Sequence, residues 1–203
     1  FDIQTERYKS LDLSVELTKL LLNNVERSLQ QNSHDKYEKI ADVLYGAKRV
    51  FLVGLRGAKG NALQFGRLLS YLMDDVHVVT NGEDEAVAQL QSLTDQDVVL
   101  SISYARYFTI DKVLAELFKR QSAFHCAITD SVSSPLAKSA ELICLVETQH
   151  MAFSNSTVGT MAVLEYLLTL LCWKYSAEYQ ERLTERDRLL RSLREQEQET
   201  VLF

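Results

Sequence analysis

Apolar residues along this chain fall into two kinds of pattern. Five short runs are almost continuously apolar: Arg49 to Val53, Val76 to Val79, Asp97 to Ser103, Ala123 to Thr129 and Leu142 to Val146. Runs without polar alternation describe strands buried on both faces, as in a parallel sheet covered by helices. Between them, apolar residues recur three or four apart from Ala58 to Met73, Glu83 to Leu93 and Thr109 to Arg120, and a short turn is expected near Ser134 to Ser139. Strand and helix therefore alternate, which predicts an α/β domain built on a five-stranded parallel sheet flanked by helices.

Helices are also predicted outside this alternation. Leu11 to Leu29 and Tyr37 to Leu44 form two amphipathic segments, broken at Asn32-Ser33-His34-Asp35, where Ser33 or Asp35 is placed to cap the second. Ser154 to Trp173 reads as a long buried helix, and Glu178 to Glu199 as a charged one carrying Leu183, Leu189, Leu190 and Leu193. The expected organisation is a linker and helical extension over 1–35, a central domain over 36–176 and a charged C-terminal helix over 177–203.

Charge narrows the function. With 22 Lys and Arg against 28 Asp and Glu, the net charge is −6, which argues against this segment itself gripping nucleic acid. Cys126, Cys144 and Cys172 lie in apolar runs without a CxxC pair, as reduced thiols of a cytoplasmic protein do, and no metal site is expected. The longest apolar stretch, near Val163 to Trp173, is too short to span a bilayer, so a soluble protein with no membrane partner is expected. The chain opens at Phe1 rather than Met, which predicts upstream residues with a separate role.

In an open parallel sheet, ligands bind beyond the carboxyl ends of the strands, so the loops there are the place to look for chemistry. The first strand runs into Gly54-Leu55-Arg56-Gly57-Ala58-Lys59-Gly60, a glycine-rich turn opening into a helix, which suits an anion but is neither a Walker loop nor a complete GxGxxG. The third ends in Ser101-Ile102-Ser103-Tyr104-Ala105-Arg106-Tyr107-Phe108-Thr109, hydroxyls and a guanidinium at a helix start, and the fourth in Thr129-Asp130-Ser131-Val132-Ser133-Ser134-Pro135. Each serine or threonine is also a candidate helix cap, and each arginine a candidate surface ion pair. Two arginines from loops on one side of the sheet, Arg56 and Arg106, favour a phosphate or carboxylate.

These loops resemble the SIS (sugar isomerase) fold, which is flavodoxin-like and binds phosphosugars, and in particular the RpiR/MurR family of bacterial regulators. The resemblance rests on Phe51-Leu52-Val53-Gly54 with Ala62, on Asp97-Val98-Val99-Leu100-Ser101-Ile102-Ser103, and on Thr129-Asp130-Ser131 followed by Ser134-Pro135-Leu136-Ala137 and Ala140-Glu141. It covers roughly residues 36 to 175. Two departures stand out. The family's Gly-x-Gly-x-Ser turn has Arg56 in place of glycine and Ala58 in place of serine, and Tyr104-Ala105-Arg106-Tyr107 replaces its Ser-Gly-type turn.

The resemblance implies an effector-sensing, non-catalytic domain without a cofactor. Its ligand is a phosphosugar or other small anionic metabolite, such as a sugar acid, held by Gly54, Arg56, Gly57, Ser101, Ser103, Tyr104, Arg106, Thr109, Asp130 and Ser131. It also implies operator DNA as a partner, bound through an N-terminal helix-turn-helix domain that this sequence lacks. A homodimer or tetramer is expected, paired through the apolar helix Ser154 to Trp173. The alternative is a phosphosugar isomerase, for which Glu83, Glu85, Glu147 and His150 are the candidate bases. His125, inside the fourth strand, reads as a packed histidine.

Overall fold

The computed structural model describes residues 12–200. The segments 1–11 and 201–203, with the Phe1 start and Leu11, lie outside the described residues, as does the Glu83 side chain. Strands β1 (Arg49–Gly54), β2 (Val76–Val79), β3 (Asp97–Ser103), β4 (Phe124–Thr129) and β5 (Leu142–Leu145) form one parallel sheet in the order β2-β1-β3-β4-β5. Seven described helices surround it: α1 (Leu13–Gln30), α2 (His34–Gly46), α3 (Lys59–Leu69), α4 (Glu83–Leu90), α5 (Thr109–Arg120), α6 (Val158–Lys174) and α7 (Ser176–Thr200).

The two-residue period of the strands divides the core. Val50, Leu52, Leu100, Ile102, Cys126 and Ile128 pack against α2, α3 and α6, while Phe51, Val53 and Val99 pack against α4 and α5. Both faces are apolar, so the runs show no alternation. Ser33 caps α2, its hydroxyl accepting the Lys36 N–H at 3.3 Å. At the entry to β1 and β3, the buried Asp97 carboxylate accepts two hydrogen bonds from Arg49, at 2.8 and 2.6 Å, and the Thr94 amide at 2.6 Å. The Arg49 guanidinium holds this carboxyl down at about 2.

One side of the apolar helix is interior: in α6 Val163, Leu164, Leu167 and Leu171 are buried and α1 and α2 pack over it, while Trp173 at its end is 82% exposed. The charged C-terminal helix begins earlier, at Ser176, and its first turns dock on the body through buried Tyr179, an Arg182–Asp74 ion pair and Arg186 stacked 4.1 Å over the Tyr71 ring.

Asn32 has a role that apolar patterning does not show. Its side-chain amide donates to the Leu145 carbonyl at 2.8 Å, and its side-chain oxygen accepts the Leu145 N–H at 2.9 Å. One asparagine thereby completes the outer edge of β5, where both backbone groups would otherwise lack a strand partner.

Candidate functional site

The helix after β1, α3, covers one face of the sheet, and the helix after β3, α5, covers the other. The connections therefore part company between β1 and β3, and the crevice at such a switch point is where ligands of open α/β sheets sit. A cavity of about 440 Å³ occupies it. That volume suits a small metabolite. Its walls are Leu55 to Ala58 after β1, Ser103 to Arg106 after β3, Phe108 and Asp111 at the start of α5, and Ser154 with Asn155 ahead of α6.

Arg56 and Arg106 have φ of 52° and 64°, the positive-φ non-glycine residues among those described. For a bulky side chain this left-handed conformation is costly, and such residues concentrate at functional sites. Arg56 carries its guanidinium 3.8 Å from the centre of the Phe108 ring. Arg106 donates through Nη2 to the Phe153 carbonyl at 3.2 Å. The turn bearing Arg106 is fixed from β4: the Asp130 carboxylate accepts the Ala105 N–H at 2.9 Å and the Tyr107 hydroxyl at 2.6 Å. Tyr104 is buried, donates to Thr160 Oγ1 at 2.9 Å, and has its hydroxyl pKa raised by burial.

The cavity thus brings together Arg56, Gly57, Ser103, Tyr104 and Arg106 of the residues singled out in the sequence, with Asp130 behind them as a brace. The others lie elsewhere. Gly54 is a packing glycine: a Cβ there would sit 2.6 Å from Ala62 Cβ and 2.9 Å from the Ala58 carbonyl oxygen, so only glycine lets α3 approach the end of β1. Ser101 is fully buried within the sheet, its hydroxyl 2.8 Å from His125 Nε2. Burial keeps His125 neutral, with its pKa pushed down to about 4. Thr109 is exposed and off the wall, and Ser131 turns to its neighbour, its Oγ 2.8 Å from Ser133 Oγ.

Three polar cavity residues escaped the sequence reading. Asp111 accepts the Phe108 N–H at 2.6 Å, fixing the first turn of α5, and burial raises its carboxyl pKa against the pull of Arg56. Asn155 donates to the Ala105 carbonyl at 3.1 Å, and Ser154 lies beside it. The signal for the last two was available: the polar run Ser154-Asn155-Ser156-Thr157 follows the fifth strand, and every loop after a parallel strand emerges at the same end. Among the candidate bases, Glu147 and His150 line a neighbouring hollow of about 290 Å³ that shares Asn155, and Glu85 is exposed on α4.

A family model for the SIS domain matches residues 43–170. The chain belongs to the SIS domain family. Among curated proteins it is similar to an uncharacterized HTH-type transcriptional regulator of Haemophilus influenzae, 22% identical over 162 residues, 80% of this chain and 56% of that protein. This SIS chain spans just over half the length of that relative. Among solved structures, the sugar isomerase domain of the Sphaerobacter thermophilus RpiR transcription factor is 26% identical with a TM-score of 0.80, over 87% of this chain and 98% of that one. The Vibrio vulnificus NanR protein complexed with ManNAc-6P is 16% identical with a TM-score of 0.76, over 94% and 73%. A Methanococcus jannaschii protein, inferred to be a 3-hexulose-6-phosphate isomerase, is 18% identical with a TM-score of 0.64, over 82% and 97%. The last two likenesses show the fold alone. No described helix is long and apolar enough to cross a membrane.

Proposed function

We propose that this SIS domain is the effector sensor of an RpiR-type transcriptional regulator. It binds a phosphosugar or another small anionic metabolite in the switch-point cavity and so controls DNA binding by a separate helix-turn-helix domain. The observation that carries the reading is the pair Arg56 and Arg106, both in left-handed backbone and both on the wall of one cavity. Their planar, permanently charged forks match phosphate or carboxylate oxygens. The likeness to a regulator's sugar isomerase domain supports the regulatory half, and the ManNAc-6P bound by NanR supports the phosphosugar class.

Calorimetry with a panel of sugar phosphates, sugar acids and inorganic phosphate tests the site. Arg106→Ala removes a charge-assisted contact, which corresponds to a loss of about 10- to 100-fold for the anion that binds best. Unchanged affinity in both Arg56→Ala and Arg106→Ala sinks the assignment. A titration of full-length protein with operator DNA, with and without that anion, tests the regulatory half.

A second reading, isomerase, draws on Asp111, a carboxyl with raised pKa in the cavity wall, and on Glu147 and His150 next door. We infer a non-catalytic role because Asp111 is engaged in holding the Phe108 amide. Solvent-deuterium incorporation into a bound sugar phosphate, followed by NMR against a protein-free control, decides between them: incorporation establishes the isomerase.

A further inference from the structure

Between β5 and α6 the chain runs through residues 146–157 without regular secondary structure. One side of this segment belongs to the cavity. Ser154 and Asn155 form part of its wall, the Asn155 amide holds the Ala105 carbonyl at 3.1 Å, and the Phe153 carbonyl accepts from Arg106 at 3.2 Å. The other side belongs to α1. Glu147 donates its N–H to Ser28 Oγ at 2.8 Å, and the buried Asn24 amide donates to the Gln149 carbonyl at 2.8 Å. The Arg27–Glu147 ion pair, at 3.4 Å, adds to this seam.

The seam has no slack. A Cβ on Gly159, at the start of α6, would lie 2.2 Å from Ser28 Oγ, 2.8 Å from the Glu147 carbonyl oxygen and 3.1 Å from the Asn24 carbonyl oxygen. Three backbones therefore meet in direct contact, and the segment does not shift at that end without taking α1 with it. Close-packed elements of this kind pass on displacements because their packing resists continuous deformation.

We propose that residues 146–157 are a strap that carries occupancy of the cavity to α1. The proposal rests on the reading of the cavity as an anion site. An anion bound by Arg106 competes with the Phe153 carbonyl for the same guanidinium. The strap, released or redrawn at Phe153 and Asn155, repositions Glu147 and Gln149, and with them the Asn24 and Ser28 side of α1. Coupling free energy is reciprocal, so a change made at the α1 end must also reach the cavity end.

Hydrogen exchange followed by mass spectrometry tests this in two arms. The first needs no ligand. Asn155→Ala deletes one hydrogen bond, expected to speed exchange roughly five-fold across 147–157. The proposal requires a matching rise in α1 over 23–30, with none in α4 across the sheet. A rise confined to the strap overturns it.

The second arm adds glucose 6-phosphate or inorganic phosphate, with binding measured separately by calorimetry. Expected is slowed exchange at 103–111, where the anion binds, and faster exchange at 147–157 and 23–30, where the strap is released. The double variant Asn24→Ala, Ser28→Ala lies away from the cavity wall and should still bind the probe, with an affinity shifted by the lost coupling, while losing the α1 response. An α1 response that persists undiminished in it overturns the proposal, as does protection of 103–111 in the native chain with α1 unmoved. The last result leaves the anion site standing. If neither probe binds, the anion reading fails for those probes, and the strap stands or falls on the first arm. Should the double variant not fold, the first arm decides alone.

Discussion

Arg56 occupies a position where the family turn has glycine, and its backbone, at φ 52°, has kept the shape glycine would take. A left-handed conformation costs a residue with a side chain about 1–2 kcal/mol. Arg56→Gly removes that cost, gives back about 0.5–1 kcal/mol through the freer unfolded chain, and loses the contact with Phe108, worth about 0.5–1 kcal/mol. These changes nearly cancel. Arg56→Ala keeps the strain and loses the same contact. The glycine variant should therefore be the more stable of the two by about 0.5–1 kcal/mol, on the order of 1–4 °C in melting temperature for a chain of this size. Anion affinity should behave differently, because both variants lack the guanidinium and should lose it about equally. Urea denaturation and calorimetry on the native chain and both variants give the comparison. A glycine variant that binds as tightly as the native chain refutes the claim that the charge justifies the strain. Equal stability of the two variants refutes the strain itself.

Three further outcomes follow from the same geometry. Asp97→Asn leaves Arg49 beside a neutral amide at the buried strand entrance and should cost about 3 kcal/mol in urea denaturation at neutral pH; a loss under 1 kcal/mol means the pair is not structural. His125 stays neutral in the folded state down to about pH 4, whereas the unfolded chain takes up a proton below pH 6.5. Stability should therefore fall with pH through that window by up to about 3 kcal/mol, and the decline should flatten in His125→Asn; an unaltered slope rules out the histidine as its source. Gly54→Ala forces a Cβ to 2.6 Å from Ala62 Cβ and should cost about 1–3 kcal/mol, with no change in urea midpoint as the contrary result.

The sheet was legible because burial on both faces leaves a plain trace. Each strand appears as an unbroken apolar run, and its boundaries in the structure differ from those runs by a residue at most. Helix ends were less legible, since they depend on caps and turns. The predicted helix to Met73 stops at Leu69 and continues as turns, and the one to Leu93 stops at Leu90. Serines carried the least information about the site. Ser101 and Ser103 are two residues apart in one strand, yet one faces His125 in the interior and the other reaches the cavity, where it contacts Thr129 at 3.5 Å. Residue type could not separate them, because a serine buried against a histidine and a serine awaiting a ligand read alike. The arginines were easier to place, since two cations in loops at one end of a parallel sheet point to an anion there. What the sequence could not show was the cost of their backbone.

The placement of the two arginines also bears on why charge replaces hydroxyls here. The chain carries a net charge of −6, so an anion approaching it meets an unfavourable mean field, and hydroxyl donors alone do not offset that. On the proposed reading two guanidinium groups on one crevice wall would, because their charge acts at short range. They also come from opposite sides of the switch point, Arg56 from the end of β1 beside α3 and Arg106 from the end of β3 before α5. An anion held by both would bridge two layers of the fold. Arg106 is in turn bonded to the segment that reaches α1, so an anion on its guanidinium would be linked through that segment to the helix. A hydroxyl on a rigid strand end could bind the same oxygen but would have nothing to release.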